Sequence, residues 1–242
     1  MRRAIFCALR WECRPVLRAL RQVERRQIGR WKAWRAALRD GEIVVVQTGV
    51  GMERAREAAR AVTASGAFDL FLSAGCAGAL DGALRAGDLV VARSIVADGA
   101  RFDSDAVFET RATEVCTRLN LPFRCGPVLT SPLVLTSAVA RQKAVEASGA
   151  IAVEMEAAGI AQIASEHGVG IGEVRAVLDS ADVELHESGD FMDPESGRLK
   201  PLGVVRFVAS HPSAASHLWA LRRMMGAAER SLTGFFAGYL GR

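Results

Sequence analysis

Two short segments carry acids where chemistry is easiest to place. Val153-Glu154-Met155-Glu156-Ala157-Ala158 sets two carboxylates around a methionine, where an apolar strand-like stretch meets an apolar helix. In extended backbone, positions two apart share a face, and a carboxylate there can accept hydrogen bonds from both hydroxyls of a ribose. The same acids equally suit a helix N-terminus, where the macrodipole favours negative charge by about 0.3–1 kcal/mol. Arg175-Ala176-Val177-Leu178-Asp179-Ser180-Ala181-Asp182 puts Asp179 directly after a buried-strand pattern. Ligands of open α/β sheets bind beyond the carboxyl ends of strands, and a buried aspartic acid can hold or donate a proton. Helix capping by Asp179 or Asp182 is the ordinary alternative.

Three glycine-bearing segments read as turns after strands. Thr48-Gly49-Val50-Gly51 leads into a helix but has Arg54 where a dinucleotide fingerprint needs its third glycine, which disfavours a nucleotide-cofactor oxidoreductase. Ser73-Ala74-Gly75-Cys76-Ala77-Gly78-Ala79-Leu80 is small enough for backbone to approach a ligand, or simply to turn tightly between packed elements. Ala86-Gly87-Asp88-Leu89-Val90 is a plain turn into a strand. The four histidines show no HExxH spacing and the five cysteines no CxxC pair, so no metal site is expected and reduced thiols are.

Elements that could position these residues alternate along the chain. Ala4–Leu9, Ile43–Thr48, Phe68–Ala74, Asp88–Val96, Phe123–Leu129 and Val174–Leu178 have the look of buried strands. Helical patterns lie at Arg14–Gln22, Met52–Ala64, Asp105–Leu119, Ser137–Ala147 and Ala157–Glu166. The alternation favours an α/β fold with a largely parallel sheet. The 242 residues, 50% hydrophobic and 24% charged, suit one domain without a linker or repeat. A net charge of +4 with scattered arginines gives no nucleic-acid footprint. Arg10 ends the first apolar run too early for a signal peptide, and no run reaches membrane-spanning length, so a cytoplasmic protein is expected. Glu184–Lys200 reads as a long polar loop, either a lid or a functionless insertion. From Pro212 to Leu240 an amphipathic helix is expected: Leu218, Trp219, Leu221, Met225, Ala228, Leu232, Phe235 and Phe236 form its stripe, with Arg222, Arg223 and Arg230 outside it. Packing on the sheet is the plainer role for that helix, and peripheral membrane contact the sharper one.

In order, the GVG turn, SAGCAGAL with GDLVVA, VEMEAA and RAVLDSAD resemble the purine nucleoside phosphorylase and nucleosidase superfamily over roughly Ile5 to Asp182. The resemblance implies a three-layer α/β/α sandwich around a mixed, partly barrel-like sheet. It also implies a homo-oligomer, a dimer first of all, and a small nucleoside as ligand. VEMEAA is most similar to the methylthioadenosine/S-adenosylhomocysteine nucleosidases. By that likeness Glu156 would bind the ribose hydroxyls, with Met155 against the sugar and Glu154 beside it. Val153 would meet the base through its backbone, and Asp179 would protonate or hydrogen-bond N7 of the leaving purine. Cys76, Ala77 and Gly78 would line the ribosyl site, and Val134 and Leu135 would hold the base-stacking position.

Two departures bear on the nucleophile. The nucleosidases carry an acidic cluster after the first strand, whereas Ala8-Leu9-Arg10-Trp11-Glu12-Cys13-Arg14 has one acid, making Glu12 the candidate base for water. Hexameric phosphorylases place an arginine before the glycine segment where this chain has Ser73. Inorganic phosphate as co-substrate would then rely on Arg10, Arg14 or Arg54, and no other cofactor is expected. ALRWECR, CAGALDGALRAGDLVVA and the basic tail also resemble hopanoid-associated nucleoside phosphorylases, which implies an adenosine with an apolar 5′ group, such as adenosylhopane. The readings carried forward are N-glycosidic cleavage of an adenine-type nucleoside, with methylthioadenosine, adenosylhomocysteine or futalosine as other substrates, and non-catalytic nucleoside binding.

Overall fold

The computed structural model describes residues 1–179 and 214–241, with side chains for 1–178 and 222–241. Its elements run β1 (Arg2–Cys7), α1 (Arg10–Ala19), β2 (Glu24–Ile28), β3 (Trp31–Leu38), β4 (Gly41–Gln47), α2 (Met52–Ala64), β5 (Leu70–Ala79) and β6 (Leu89–Ala97). Then come β7 (Ala100–Asp103), α3 (Ala106–Arg118), β8 (Phe123–Thr130), α4 (Ala138–Ser148), β9 (Ala152–Glu154), α5 (Ala157–Glu166), β10 (Gly170–Asp179) and α6 (Ala214–Tyr239).

The central strands are apolar on both faces because a helical layer covers each. In β1, Ile5 and Cys7 enter one core while Ala4 and Phe6 enter the other. In β5, Leu70 and Leu72 join the first and Phe71 the second. This is period-two geometry with both sides dry. On one face α1, α3 and α6 supply Val16, Phe108, Val115, Leu232 and Phe235. On the other, α2 and α5 supply Ala55, Ala59, Val62, Ile160 and Ile163. The three expected layers are present. Gly159 sets the spacing of α5 against α2, since a Cβ there would lie 2.2 Å from the Met52 carbonyl oxygen.

The sheet order is β10-β6-β8-β9-β5-β1-β4-β3-β2, with β10 pairing back onto β5 and β7 added at β6. Strands β5, β10, β6, β8 and β9 thus close on themselves, and Ala77, Ala79, Val90, Ala92, Val128 and Val177 belong to the small-residue core cluster there. Parallel pairs such as β1–β4 and β6–β8 mix with antiparallel ones such as β10–β6 and β5–β9. The largely parallel sheet read from strand–helix alternation is therefore corrected to a mixed one.

Three further expectations change. Ser73–Leu80 is not a turn: through Ala79 it continues β5, pairing with β10 and β9. Helix α1 starts at Arg10 rather than Arg14, which brings Glu12 into its first turn. Gln22, the expected end of that helix, instead lies at positive φ just before the unforeseen β2–β3 hairpin.

From Ala228 onward the C-terminal helix turns its apolar stripe inward. Phe235 and Phe236 are fully buried, Phe235 stacks on Tyr239 at 5.4 Å, and Tyr239 meets Phe108 edge-on at 5.8 Å. Each such buried ring contributes about 1.5–3 kcal/mol. From Ala228 onward the stripe is part of the core, while Arg222, Arg223 and Arg230 stay exposed. No described helix is long and apolar enough to cross a membrane.

Candidate active site

Glu12 is fixed from two sides. Its Oε2 accepts from the Leu9 amide at 2.8 Å, closing the first turn of α1, and its Oε1 accepts from the Cys76 amide of β5 at 2.9 Å. The side chain is buried, and burial pushes its carboxyl above the usual range against the opposing pull of Arg175. Close approach to β5 is possible because the adjoining residue is Gly75. A Cβ there would lie 2.6 Å from Glu12 Oε1 and 2.8 Å from Arg175 Nη1. The small residues that resembled a turn are the clearance two charged side chains need.

Arg175, in β10, is the hub. Nε donates to Glu173 Oε1 at 2.7 Å, and Nη2 donates to Ser73 Oγ at 2.6 Å and to Glu154. Nη1 lies 3.7 Å from Glu156 Oε2. Alternation along β10 puts Glu173 and Arg175 on one face, and both are buried. Glu154 is fully engaged inside the protein. It accepts from the Thr130 hydroxyl, from the Glu156 amide at 2.8 Å and from the Ala157 amide at 2.9 Å, satisfying donors at the start of α5.

Glu156 stands where β9 gives way to α5, at the N-cap position. Its Oε1 accepts from the Gly51 amide at 2.9 Å, so the GVG segment reaches this carboxyl across the sheet. Gly51 adopts φ +108°, a conformation that side chains rarely tolerate. Burial first, and then the neighbouring Glu154, push the Glu156 carboxyl up to about 8. Met155 is half-buried beside it.

The remaining sequence candidates surround this cluster unevenly. Cys76, Ala77 and Gly78 lie in the second half of β5, and Val153 pairs with Gly78 on one side and Leu129 on the other. Asp179 ends β10 opposite Gly78, just past an irregularity in the pairing. Its side chain, together with Asp182 and the Glu184–Lys200 segment, lies outside the described residues. Val134 is exposed and Leu135 half-buried in the segment after β8. Arg141 ties that segment to β5, donating to the Leu135 carbonyl and to the Ala79 carbonyl, each at 3.1 Å. Arg10 and Arg14 are exposed, and Arg54 folds back on Gly49.

Arg175 and Glu173 were not singled out in the sequence. The available signal was two charges two residues apart in an otherwise apolar strand. A lone strand cannot show what those charges meet. Together, Glu12, Glu154, Glu156 and Glu173 place four carboxyl groups around one guanidinium. Such a site favours a developing positive charge, and its raised carboxyls are suited to moving protons near neutrality.

Known proteins resemble the chain in sequence and in fold. Residues 2–208 match the model of the phosphorylase superfamily. A 5′-methylthioadenosine/S-adenosylhomocysteine nucleosidase of Staphylococcus aureus (strain MRSA252) is 27% identical over 202 residues, covering 76% of this chain and 89% of that protein. The nucleosidase of the same name from Neisseria meningitidis, in complex with methylthio-immucillin-A, superposes with a TM-score of 0.77 at 21% identity, covering 98% of this chain and 97% of that one. The futalosine hydrolase of Helicobacter pylori strain 26695 gives 0.75 at 20% identity, covering 97% of each chain.

Proposed function

The chain belongs to the phosphorylase superfamily, and on that premise we propose that it hydrolyses the N-glycosidic bond of an adenine-type nucleoside. The observation that carries this reading is the Glu12 carboxyl, held between two backbone amides beside Arg175 and Glu156. A base clamped in this way can take a proton from water without first reorganising.

The roles follow the charges that develop. As the bond from C1′ to N9 of the purine stretches, the sugar becomes positive and the base negative. Glu156 accepts hydrogen bonds from the ribose hydroxyls, and the surrounding carboxyls stabilise the cationic sugar. Asp179 gives a proton to N7 of the leaving adenine. Water forms the new bond to C1′ while Glu12 takes its proton, with Arg175 Nη1 helping to hold that water. General acid or base help of this kind is worth about 10²–10⁴ in rate.

Water is favoured over inorganic phosphate by the electrostatics. A phosphate dianion would have to shed its hydration in a buried site whose one guanidinium already donates to Glu173, Ser73 and Glu154, and burying a charge without a free partner is costly. Of the arginines considered for a phosphate site, Arg10 and Arg14 are exposed and Arg54 folds back on Gly49.

An apolar 5′ substituent suits the rim. Leu133, Val134 and Val139 are exposed aliphatic side chains in and just after the segment assigned to the base. An adenosyl lipid, methylthioadenosine, adenosylhomocysteine and futalosine are the substrates to compare. The test is base release from these four and inosine. Free adenine from one or more adenine nucleosides is the expected result. Nucleoside binding with no base released from any of them would replace hydrolysis by a binding role.

A further inference from the structure

Beside the proposed machinery lies one buried acid with no assigned part. Glu173 is fully buried on β10, in register with Ser73 of β5. Its Oε1 accepts from Arg175 Nε at 2.7 Å, whereas its Oε2 is buried without a hydrogen-bond partner among the described residues. Leaving a carboxyl oxygen orphaned in the interior costs about 1–3 kcal/mol or more. A valine or leucine at this place in an otherwise apolar strand would avoid that cost. The acid is therefore retained for what its other oxygen does.

That oxygen determines how the guanidinium is turned. Arginine's donors form a rigid planar fork. With Nε held by Glu173 and Nη2 held by Ser73 and Glu154, the plane is fixed, and Nη1 is left facing Glu156 and the Gly75 clearance beside Glu12. Without the Nε contact, Ser73 and Glu154 hold a single nitrogen, about which the fork can swing. We propose that Glu173 is a positioning residue that aims Arg175 Nη1 at the nucleophile beside Glu12. This inference rests on the hydrolytic reading above.

The surroundings are consistent with a hydrogen-bonding role rather than a simple ion pair. The groups facing Glu173 are Arg175 on its own strand, Ser73 on β5, Glu154 at the end of β9 and Glu156 at the start of α5. Burial, and then Glu154, push the Glu173 carboxyl up to about 8, so it holds a proton at neutral pH. A neutral carboxyl still accepts the Nε hydrogen bond, and so does the amide oxygen of glutamine.

The test compares Glu173→Gln, which keeps the acceptor, with Glu173→Leu, which removes it at similar volume. Glu173→Ile is a second acceptor-free variant, and thermal melting checks that each variant folds. The expected result is a drop in kcat of about 10–100-fold for Leu and Ile, typical of a misaimed catalytic group, with KM within threefold of the parent and most of the loss recovered by Gln. A folded Leu or Ile variant with the parent kcat would overturn the proposal, as would a Gln variant impaired as deeply as Leu. Glu12→Gln, assayed in parallel, separates the two levels. If it stays active, the hydrolytic reading fails. If it is inactive while Glu173→Leu keeps its kcat, only the positioning role fails.

Discussion

Arginine meets glutamate in two opposite settings in this protein. On the β2–β3 hairpin, Arg26 lies 2.5 Å from Glu24, and both side chains are more than half exposed. At the junction of β5, β9 and β10, Arg175 meets Glu173, Glu154 and Glu156 with almost no exposure on any of the four. The first pair keeps most of its hydration whether or not it forms, so forming it changes little. The second has given up its water, and each member is tolerable only because the others are present. Surface pairs decorate this fold, whereas the buried cluster constrains it and gathers titratable groups at the site proposed for glycosidic cleavage.

Removing the hub should show the largest contrast. Arg175→Met is expected to lower stability by about 3–5 kcal/mol, the cost of stranding buried carboxyls, measured by urea unfolding. A loss below about 1 kcal/mol would mean the cluster is no more coupled than the hairpin pair.

Acidity separates the two settings next. Glu156 and Glu173 have folded pKa values of about 8 against an ordinary 4.5. The stability they contribute by holding protons is fully present below pH 4.5 and lost as pH rises toward 8. Asp40 behaves oppositely: hydrogen bonding to Arg3 lowers its pKa, so its contribution is present above its ordinary 3.8 and lost as pH falls. The melting temperature should therefore decline between pH 5 and 8, and Glu173→Gln should flatten that decline. An unchanged slope in the variant would assign the decline to other groups.

The smallest effect belongs to the surface. Arg26→Ala should change stability by no more than about 0.5 kcal/mol and leave kcat untouched. A larger loss, read by the same urea titration, would mean the hairpin depends on this pair.

Much of this contrast was open to a reader of the sequence, and the missing parts have physical causes. Helices Met52–Ala64 and Ala157–Glu166 lie where their apolar periodicity puts them. The central strands announce themselves as Val-, Leu- and Ile-rich runs. The β2–β3 hairpin escaped because Glu24-Arg25-Arg26-Gln27-Ile28 is almost wholly polar, as an exposed edge strand can be. Gly75 and its neighbours were misread because small residues serve both turns and close approaches, and only the opposing Glu12 and Arg175 tell the two apart. Glu154 and Glu156 stand out by residue type and spacing, whereas Glu12 is singled out only through resemblance. Arg175 was passed over because a charge in a buried strand gains meaning from partners 21 and 102 residues away, Glu154 and Ser73.

The most direct test of the central claim is to follow adenine release in ¹⁸O-labelled water, with and without phosphate, from whichever adenine nucleoside of the panel reacts. Hydrolysis through Glu12 predicts release that does not need phosphate, label in the C1′ hydroxyl of the sugar, and a loss of about 10²–10⁴ in rate for Glu12→Gln. Release only in the presence of phosphate, with the sugar recovered as its 1-phosphate, or an undiminished rate in Glu12→Gln, would contradict it.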